Sequence, residues 1–242
     1  MLTLRSLIFN VAFYAVLIIL MIVGLPTLLF GRHAIFDLAR LWARISLWLM
    51  RTICGTKAEF RGIANIPKGA LLIAPKHQSM WETFALLLYF DDFSYVLKRE
   101  LTWIPVFGWY LSRGEQIAID RGSGRAALRQ VSEAAKNLFA NGRQLFIFPE
   151  GTRRPTGAPP EYKFGVAQIY ADCDVPCLPV ALNSGAFWPR RKFLRYPGTI
   201  VVEFLPVIPP GLDRMAFLNK LTTDIETTTR RLESEAMAPA SS

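Results

Sequence analysis

From residue 6 to 31 the chain carries no charged side chain, and Ser6, Asn10 and Thr27 are its only clearly polar positions. A helix of that length can cross the roughly 30 Å hydrocarbon core of a bilayer. The run is too long for a cleavable signal peptide, and no small-x-small cleavage site follows it. Gly24 and Pro26 near its end could instead bend it into a hairpin that enters and leaves one leaflet. If the segment spans, Arg5 stands alone on one side while Arg32, Arg40, Arg44, Arg51 and Lys57 follow on the other, which puts the body of the protein in the cytoplasm. Residues 33–53 then show two faces at ~100° per residue. Asp37, Arg40, Arg44 and Arg51 share a narrow arc, while Ile35, Leu38, Leu41, Trp42, Ile45, Leu49 and Ile53 fill the opposite side. A basic stripe beside a broad apolar face predicts a helix lying in the headgroup layer. Periodicity alone accounts equally well for a helix packed on a soluble core.

After residue 54 short apolar runs alternate with helical patterns. Residues 71–74, 95–98, 116–119, 145–148, 177–182 and 199–204 read as buried strands. Residues 123–140 are periodic through Ala127, Val131, Ala134, Ala135 and Leu138, and end at Asn141-Gly142, a left-handed stop signal. Residues 213–236 repeat the helical pattern, and 239–242 read as a disordered tail. The expected fold is α/β: an N-terminal membrane-associated helical pair (1–53), then a mixed, largely parallel sheet flanked by helices (54–242).

Composition sharpens this. With 52% hydrophobic residues and a mean hydropathy of +0.26, the chain is too apolar for disorder and suits membrane contact. Its net charge of +9 implies an anionic partner, a phospholipid surface or nucleic acid. Much of the basic charge lies beside apolar helices and no recognition motif is present, so lipid is expected and nucleic acid is not. Cys54, Cys173 and Cys177 form no CxxC pair and no even set, which implies a reduced compartment without disulfide or metal site.

Candidate chemistry sits where strands end. His77, one of two histidines, lies at the corner between strand 71–74 and a helical pattern that starts at Ser79. Glu82 follows five residues on, a spacing that suits a general base whose second ring nitrogen is held by a carboxylate. Ser79-x-x-Glu82 also reads as a capping box for the following helix. Asp120-Arg121 and Glu150-Gly151-Thr152-Arg153 follow two further strands. Arginine forks chelate phosphate oxygens, and Gly151 lets a ligand approach the backbone closely. Either stretch could also be a plain surface turn. Residues 101–110 could line an apolar channel, dip into the membrane or simply pack inside, and residues 187–193 mix rings and cations as an interfacial loop does, or as a surface for an acidic partner would.

Together, His77 to Glu82, Gly114 to Arg121, Phe148 to Arg153 and the strand Val175-Pro176-Cys177-Leu178-Pro179-Val180-Ala181 resemble, in order, the motif blocks of the glycerolipid acyltransferase superfamily. The nearest type is the bacterial 1-acyl-sn-glycerol-3-phosphate acyltransferases. Residues 148–153 match letter for letter. The second block lacks the family's aromatic, and Glu82 stands where the family usually has Asp. The resemblance implies acyl transfer from an acyl thioester, acyl-CoA or acyl-carrier protein, to the sn-2 hydroxyl of lysophosphatidic acid, with no further cofactor. It implies His77 as base and Glu82 as its partner, Arg121 and Arg153 as a phosphate clamp with Lys98 beside them, and Glu150, Gly151 and Thr152 as further substrate-binding residues. The implied location is the cytoplasmic face of the inner membrane. Another lysolipid acceptor such as lyso-ornithine lipid, or a membrane-binding module without catalysis, are the alternatives.

Overall fold

A computed structural model describes residues 1–120, 122 and 124–237. The helices are α1 (Leu2–Val23), α2 (Arg32–Leu49), α3 (Glu82–Ala85), α4 (Phe107–Arg113), α5 (Gly124–Ala140), α6 (Gly165–Cys173), α7 (Ser184–Phe187) and α8 (Arg214–Met237). The strands are β1 (Thr56–Arg61), β2 (Leu71–Pro75), β3 (Phe93–Lys98), β4 (Ile117–Ile119), β5 (Gln144–Phe146), β6 (Cys177–Leu182) and β7 (Gly198–Phe204). Among the described residues they form one sheet in the order β1-β7-β6-β2-β5-β3-β4. Pairing is parallel throughout except between β6 and β7. Every residue of β2 and β6 is buried, as continuous apolar runs in a two-sided sheet require.

Each face of the sheet carries its own core. On one face β-strand side chains such as Ile73, Phe146 and Val180 pack with Trp81 and Phe84 and with Phe9, Phe13, Phe36 and Ala43 of the first two helices. On the other, Leu72, Leu145 and Ala181 meet Val131 and Ala135 of α5, Ile169 of α6, and Phe217, Leu221 and Ile225 of α8. The result is three layers, with α1 and α2 as part of one outer layer. The change of pattern expected near residue 53 is thus not a break in packing.

The N-terminal run is one helix and a turn. Pro26 opens a 3-10 segment, Leu25–Leu29. Gly24 suits the crossing, because a Cβ there would lie 2.5 Å from the Leu20 carbonyl oxygen as well as against Leu38. By length and composition α1 could cross a membrane, yet both of its ends are tied to the α/β body. Ser6 Oγ accepts the Arg195 backbone N–H, and Asn10 accepts from the Arg195 guanidinium. At the far end Tyr110 donates to the Met21 carbonyl, and Arg113 to those of Leu28 and Phe30. Between these ties one face stays exposed, with Val11, Ile18 and Ile22 each more than half accessible.

Helix α2 corrects part of the expected headgroup-facing stripe. Arg40 turns inward and donates to the carbonyls of Leu87, Phe90 and Asp91, satisfying groups that the short 3-10 segment Leu86–Tyr89 leaves open. Arg44 remains exposed, as do Leu41 and Trp48. The helix therefore packs on the body, as the second reading of its periodicity had it. The expected tail at 239–242 lies outside the described residues.

Candidate active site

β6, β2 and β5 are adjacent and parallel, and the chain crosses to opposite sides of β2 to make them. Such a switch point opens a crevice beyond the strands' carboxyl ends. Three loops meet there: Lys76-His77 after β2, Phe148-Pro149-Glu150 after β5, and Asn183-Ser184 after β6.

His77 is fixed at four points. Its Nδ1 lies 2.9 Å from Glu82 Oε1. Its ring stacks on Phe148, with centroids 3.9 Å apart. Its N–H donates to Glu150 Oε2 at 2.9 Å, and its carbonyl accepts from the Arg154 N–H at 2.7 Å. With Nδ1 engaged, Nε2 is the nitrogen left for a ligand in the adjoining cavity, which His77 lines.

Glu82 is wholly buried and accepts five hydrogen bonds. Oε1 takes His77 Nδ1–H and the backbone N–H groups of Gln78 and Ser79, at 2.9, 2.8 and 2.7 Å. Oε2 takes the hydroxyls of Ser79 and Ser184, at 2.9 and 2.8 Å. Burial pushes this carboxyl upward, but the bonds and charge of His77, the Ser79 N–H and the Ser184 hydroxyl outweigh it and hold the pKa below the ordinary value. Glu82 thus accepts the Ser79 N–H as one half of the expected capping box, but the other half is not formed, because α3 begins at Glu82 with Trp81 at its cap and no side-chain capping bond. Ser79 Oγ also accepts the Trp81 N–H, at 2.9 Å.

A second network holds the residues on either side of His77. Lys76 Nζ, buried, donates to Glu150 Oε1 at 2.8 Å and to Glu226 Oε1 of α8 at 2.6 Å. Tyr162 donates to the same Glu226 oxygen. Gln78 donates to Glu233 at 2.7 Å and accepts from the Gly185 N–H. Glu226 and Glu233 stand two turns apart on one face of α8, so this helix grips the histidine loop before and after the ring. Sequence reasoning missed these partners, because a lysine beside the histidine and two glutamates in a distant amphipathic helix carry no local signal.

The remaining expected residues divide. Glu150 turns inward: its side chain has no exposure, and both oxygens serve Lys76 and the His77 N–H. In this arrangement it holds Lys76 and the His77 main chain in place. Burial raises its pKa against the pull of Lys76. Gly151 adopts a left-handed φ of +65°, which a side chain would strain. Gly151, Thr152, Arg153 and Lys98 all line the cavity beside His77. Lys98 pairs with Glu100 at 3.1 Å and is half exposed. Arg153 is largely enclosed, and burial, aided by Arg190 and Arg191, holds its pKa below the ordinary arginine value. Arg121 lies outside the described residues.

That cavity, of about 640 Å³, is apolar over most of its wall. Phe13 and Leu17 of α1, Phe36 and Trp42 of α2, and Leu101, Phe107 and Tyr110 enclose it. His77 and Arg153, Arg190 and Arg191 also line it. Residues 101–110 are thus divided, since Trp103, Ile104 and Trp109 are exposed. A hydrocarbon chain, an anionic group and a base with one free ring nitrogen can be served in one space.

Residues 57–183 match the family model described as Acyltransferase. The chain is 41% identical over 167 residues to a 1-acyl-sn-glycerol-3-phosphate acyltransferase of Pseudomonas aeruginosa, covering 69% of this chain and 65% of that protein. It is 31% identical to a chloroplastic 1-acyl-sn-glycerol-3-phosphate acyltransferase of Brassica napus, covering 72% of this chain and 51% of that one. The chain thus spans between half and two-thirds of the length of these relatives. The crystal structure of the 1-acyl-sn-glycerophosphate acyltransferase of Thermotoga maritima superposes over 100% of both chains with a TM-score of 0.79 at 23% identity, a likeness of fold.

Proposed function

For a chain that belongs to the acyltransferase family, we propose transfer of an acyl group from an acyl thioester to the sn-2 hydroxyl of lysophosphatidic acid, giving phosphatidic acid. The observation that carries this reading is the immobilised His77, with one ring nitrogen on Glu82 and the other without a partner among the described residues, in a cavity with both apolar and arginine-bearing walls.

His77 Nε2 accepts the hydroxyl proton as the oxygen attacks the thioester carbonyl. Glu82 keeps the proton on Nδ1 and stabilises the imidazolium that forms, without taking the proton itself. The tetrahedral intermediate collapses by breaking the carbon–sulfur bond, and the imidazolium returns its proton to the departing thiolate. No side-chain nucleophile is required, because hydroxyl and thioester meet directly once held. Arg153, with Arg190 or Arg191, meets the acceptor's phosphate; acyl-CoA or acyl-carrier protein supplies the thioester.

The exposed face of α1, tied at both ends to the body, supports insertion into one leaflet rather than a crossing. We place this at the cytoplasmic face of the inner membrane.

The test is the purified full-length chain in anionic vesicles with a labelled acyl thioester and three acceptors: lysophosphatidic acid, uncharged monoacylglycerol and lyso-ornithine lipid. Labelled phosphatidic acid is the expected product, absent in His77→Ala. Preferential labelling of another acceptor, or full activity of His77→Ala, overturns the reading.

A further inference from the structure

Arg190 and Arg191 stand in the wall between two cavities. The first holds His77. The second, of about 400 Å³, is lined by the same two arginines and by Lys192, Gln78, Pro155, Thr156, Gly185 and Pro189. It lies against the residue that follows the base, but the His77 ring does not reach it.

This second cavity is cationic, and its charge is not cancelled from within. No carboxylate is among its described lining residues; Glu233 lies behind Gln78 and accepts its amide at 2.7 Å, and Glu161 is taken by Arg154 and Lys163. Among the described residues, Arg190, Arg191 and Lys192 make no ion pair. The loop that carries them is nonetheless firmly built. Arg190 donates to the Arg153 carbonyl at 2.8 Å. Arg195 beneath it donates to the carbonyls of Lys192, Phe193 and Leu194, with its guanidinium over the Trp188 ring at 4.3 Å. Arg191 is kept at a φ of +55°, a backbone state that costs a residue with a side chain and persists where the surroundings over-determine it. A fixed loop that presents uncompensated cations to a concave space suits a phosphate group.

Which phosphate follows from where the reacting atoms lie. In lysophosphatidic acid the phosphate is only a few bonds from the attacking hydroxyl, so it must sit in the cavity that holds His77. The donor is different: a long amide-bearing arm separates its thioester sulfur from its first phosphate, which can therefore lie beyond the arginine wall. We infer that the second cavity binds a phosphate of the acyl donor, the one at the end of its pantetheine arm. The assignment rests on the acyl-transfer reading above. The two arginines then serve both substrates, one on each side of the wall, and Lys192 serves the donor alone.

The experiment uses the full-length chain with Lys192→Ala and Lys192→Glu, whose side chain is exposed, after their melting temperatures are matched to wild type. Two donors carry one acyl group: acyl-CoA, and acyl-pantetheine, which has no phosphate. Wild type should show a higher KM for acyl-pantetheine than for acyl-CoA. Lys192→Ala should raise the KM for acyl-CoA by about tenfold, the scale of one lost charge-assisted contact, and Lys192→Glu by more. Neither should change the KM for acyl-pantetheine or for lysophosphatidic acid. A rise in the lysophosphatidic acid KM would assign the site to the acceptor and overturn the inference. An unchanged acyl-CoA KM with weakened flotation on anionic vesicles would assign it to a membrane headgroup, and equal losses with both donors would remove the phosphate altogether. Failure of wild type to acylate lysophosphatidic acid with either donor, and with acyl-carrier protein as a third, would instead refute the acyl-transfer reading.

Discussion

Glu82→Gln isolates the charge of the histidine's partner with little change of shape. Three N–H groups converge on Oε1 and two hydroxyls on Oε2. A glutamine fits this set in one orientation: its oxygen keeps the three N–H donors, and its two amide hydrogens point at the Ser79 and Ser184 hydroxyls, which rotate to accept. The His77 tautomer is preserved, so the loss should come from the missing charge alone. With about 4 Å between charge centres and an effective dielectric of about 20, that charge is worth about 4 kcal/mol to an imidazolium. At 1.36 kcal/mol per tenfold, kcat should fall by about 10²- to 10³-fold, with the KM values nearly unchanged. Glu82→Asp withdraws the carboxylate by one methylene while Ser184 and His77 stay apart, so it should be less stable than Glu82→Gln yet retain measurable activity. Thermal melts against pH supply a second readout. The folded pKa of Glu82 is depressed, so its stabilising contribution is present above the ordinary glutamate value of 4.5 and is lost as pH falls through the depressed one. Wild type should therefore lose stability relative to Glu82→Gln as pH drops below that value. A kcat within tenfold of wild type at neutral pH would refute the argument and leave Glu82 a purely structural cap.

Arg153→Ala should raise the KM for lysophosphatidic acid by roughly 1.5–3 kcal/mol of lost charge-assisted bonding, leave the donor KM alone, and change little toward uncharged monoacylglycerol; an equal loss toward both acceptors would refute it. Glu226→Ala leaves Lys76 buried with Glu150 as its one carboxylate partner and should cost about 3 kcal/mol in denaturant melts, the scale for breaking a buried pair, with kcat reduced more than KM. A stable variant with normal kcat would show that α8 does not position His77. Replacing Val11, Ile18 and Ile22 together by serine should weaken vesicle flotation at an unchanged melting temperature, because all three are exposed; unchanged flotation would mean that another surface meets the bilayer. Deleting residues 1–31 should instead destabilise the whole chain, since it removes Phe9 and Phe13 from the core.

The sheet was legible wherever a strand is buried on both sides. The expected run 177–182 coincides with β6, and 199–204 misses β7 by one residue. β1 was missed because Lys57 and Glu59 alternate with Thr56 and Ala58 at the sheet's edge, and its main-chain pairing with β7 does the work that apolar side chains do elsewhere. Helix α6 was missed for a different reason: it is short, and its Gly165 start offers no capping side chain. The membrane segment was legible as apolar, but apolarity is satisfied equally by lipid and by protein. The ties at Ser6, Asn10 and Met21 and the burial of Phe9 and Phe13 distinguish a helix lying along the body from one leaving it.

At the site, what could be read was chemistry carried by neighbours in the chain, and what could not was chemistry assembled across the fold. His77 and Glu82 are five residues apart, and one loop brings them within 2.9 Å. Ser184, which also binds Glu82, is 102 residues further on, and Glu226 is 150 residues from Lys76. Both meet the histidine loop only because β6 lies beside β2 and α8 covers that side of the sheet. The same topology explains which partners Glu150 finds. Its motif places a carboxylate at a strand end, where a ligand could use it, but β5 lies beside β2, so Lys76 and the His77 N–H reach it first. A carboxylate already holding a lysine and a backbone N–H has little left to offer a hydroxyl. On the proposed reading the acceptor's orientation therefore falls to Arg153 and its neighbours, and the motif's carboxylate serves by keeping His77 still.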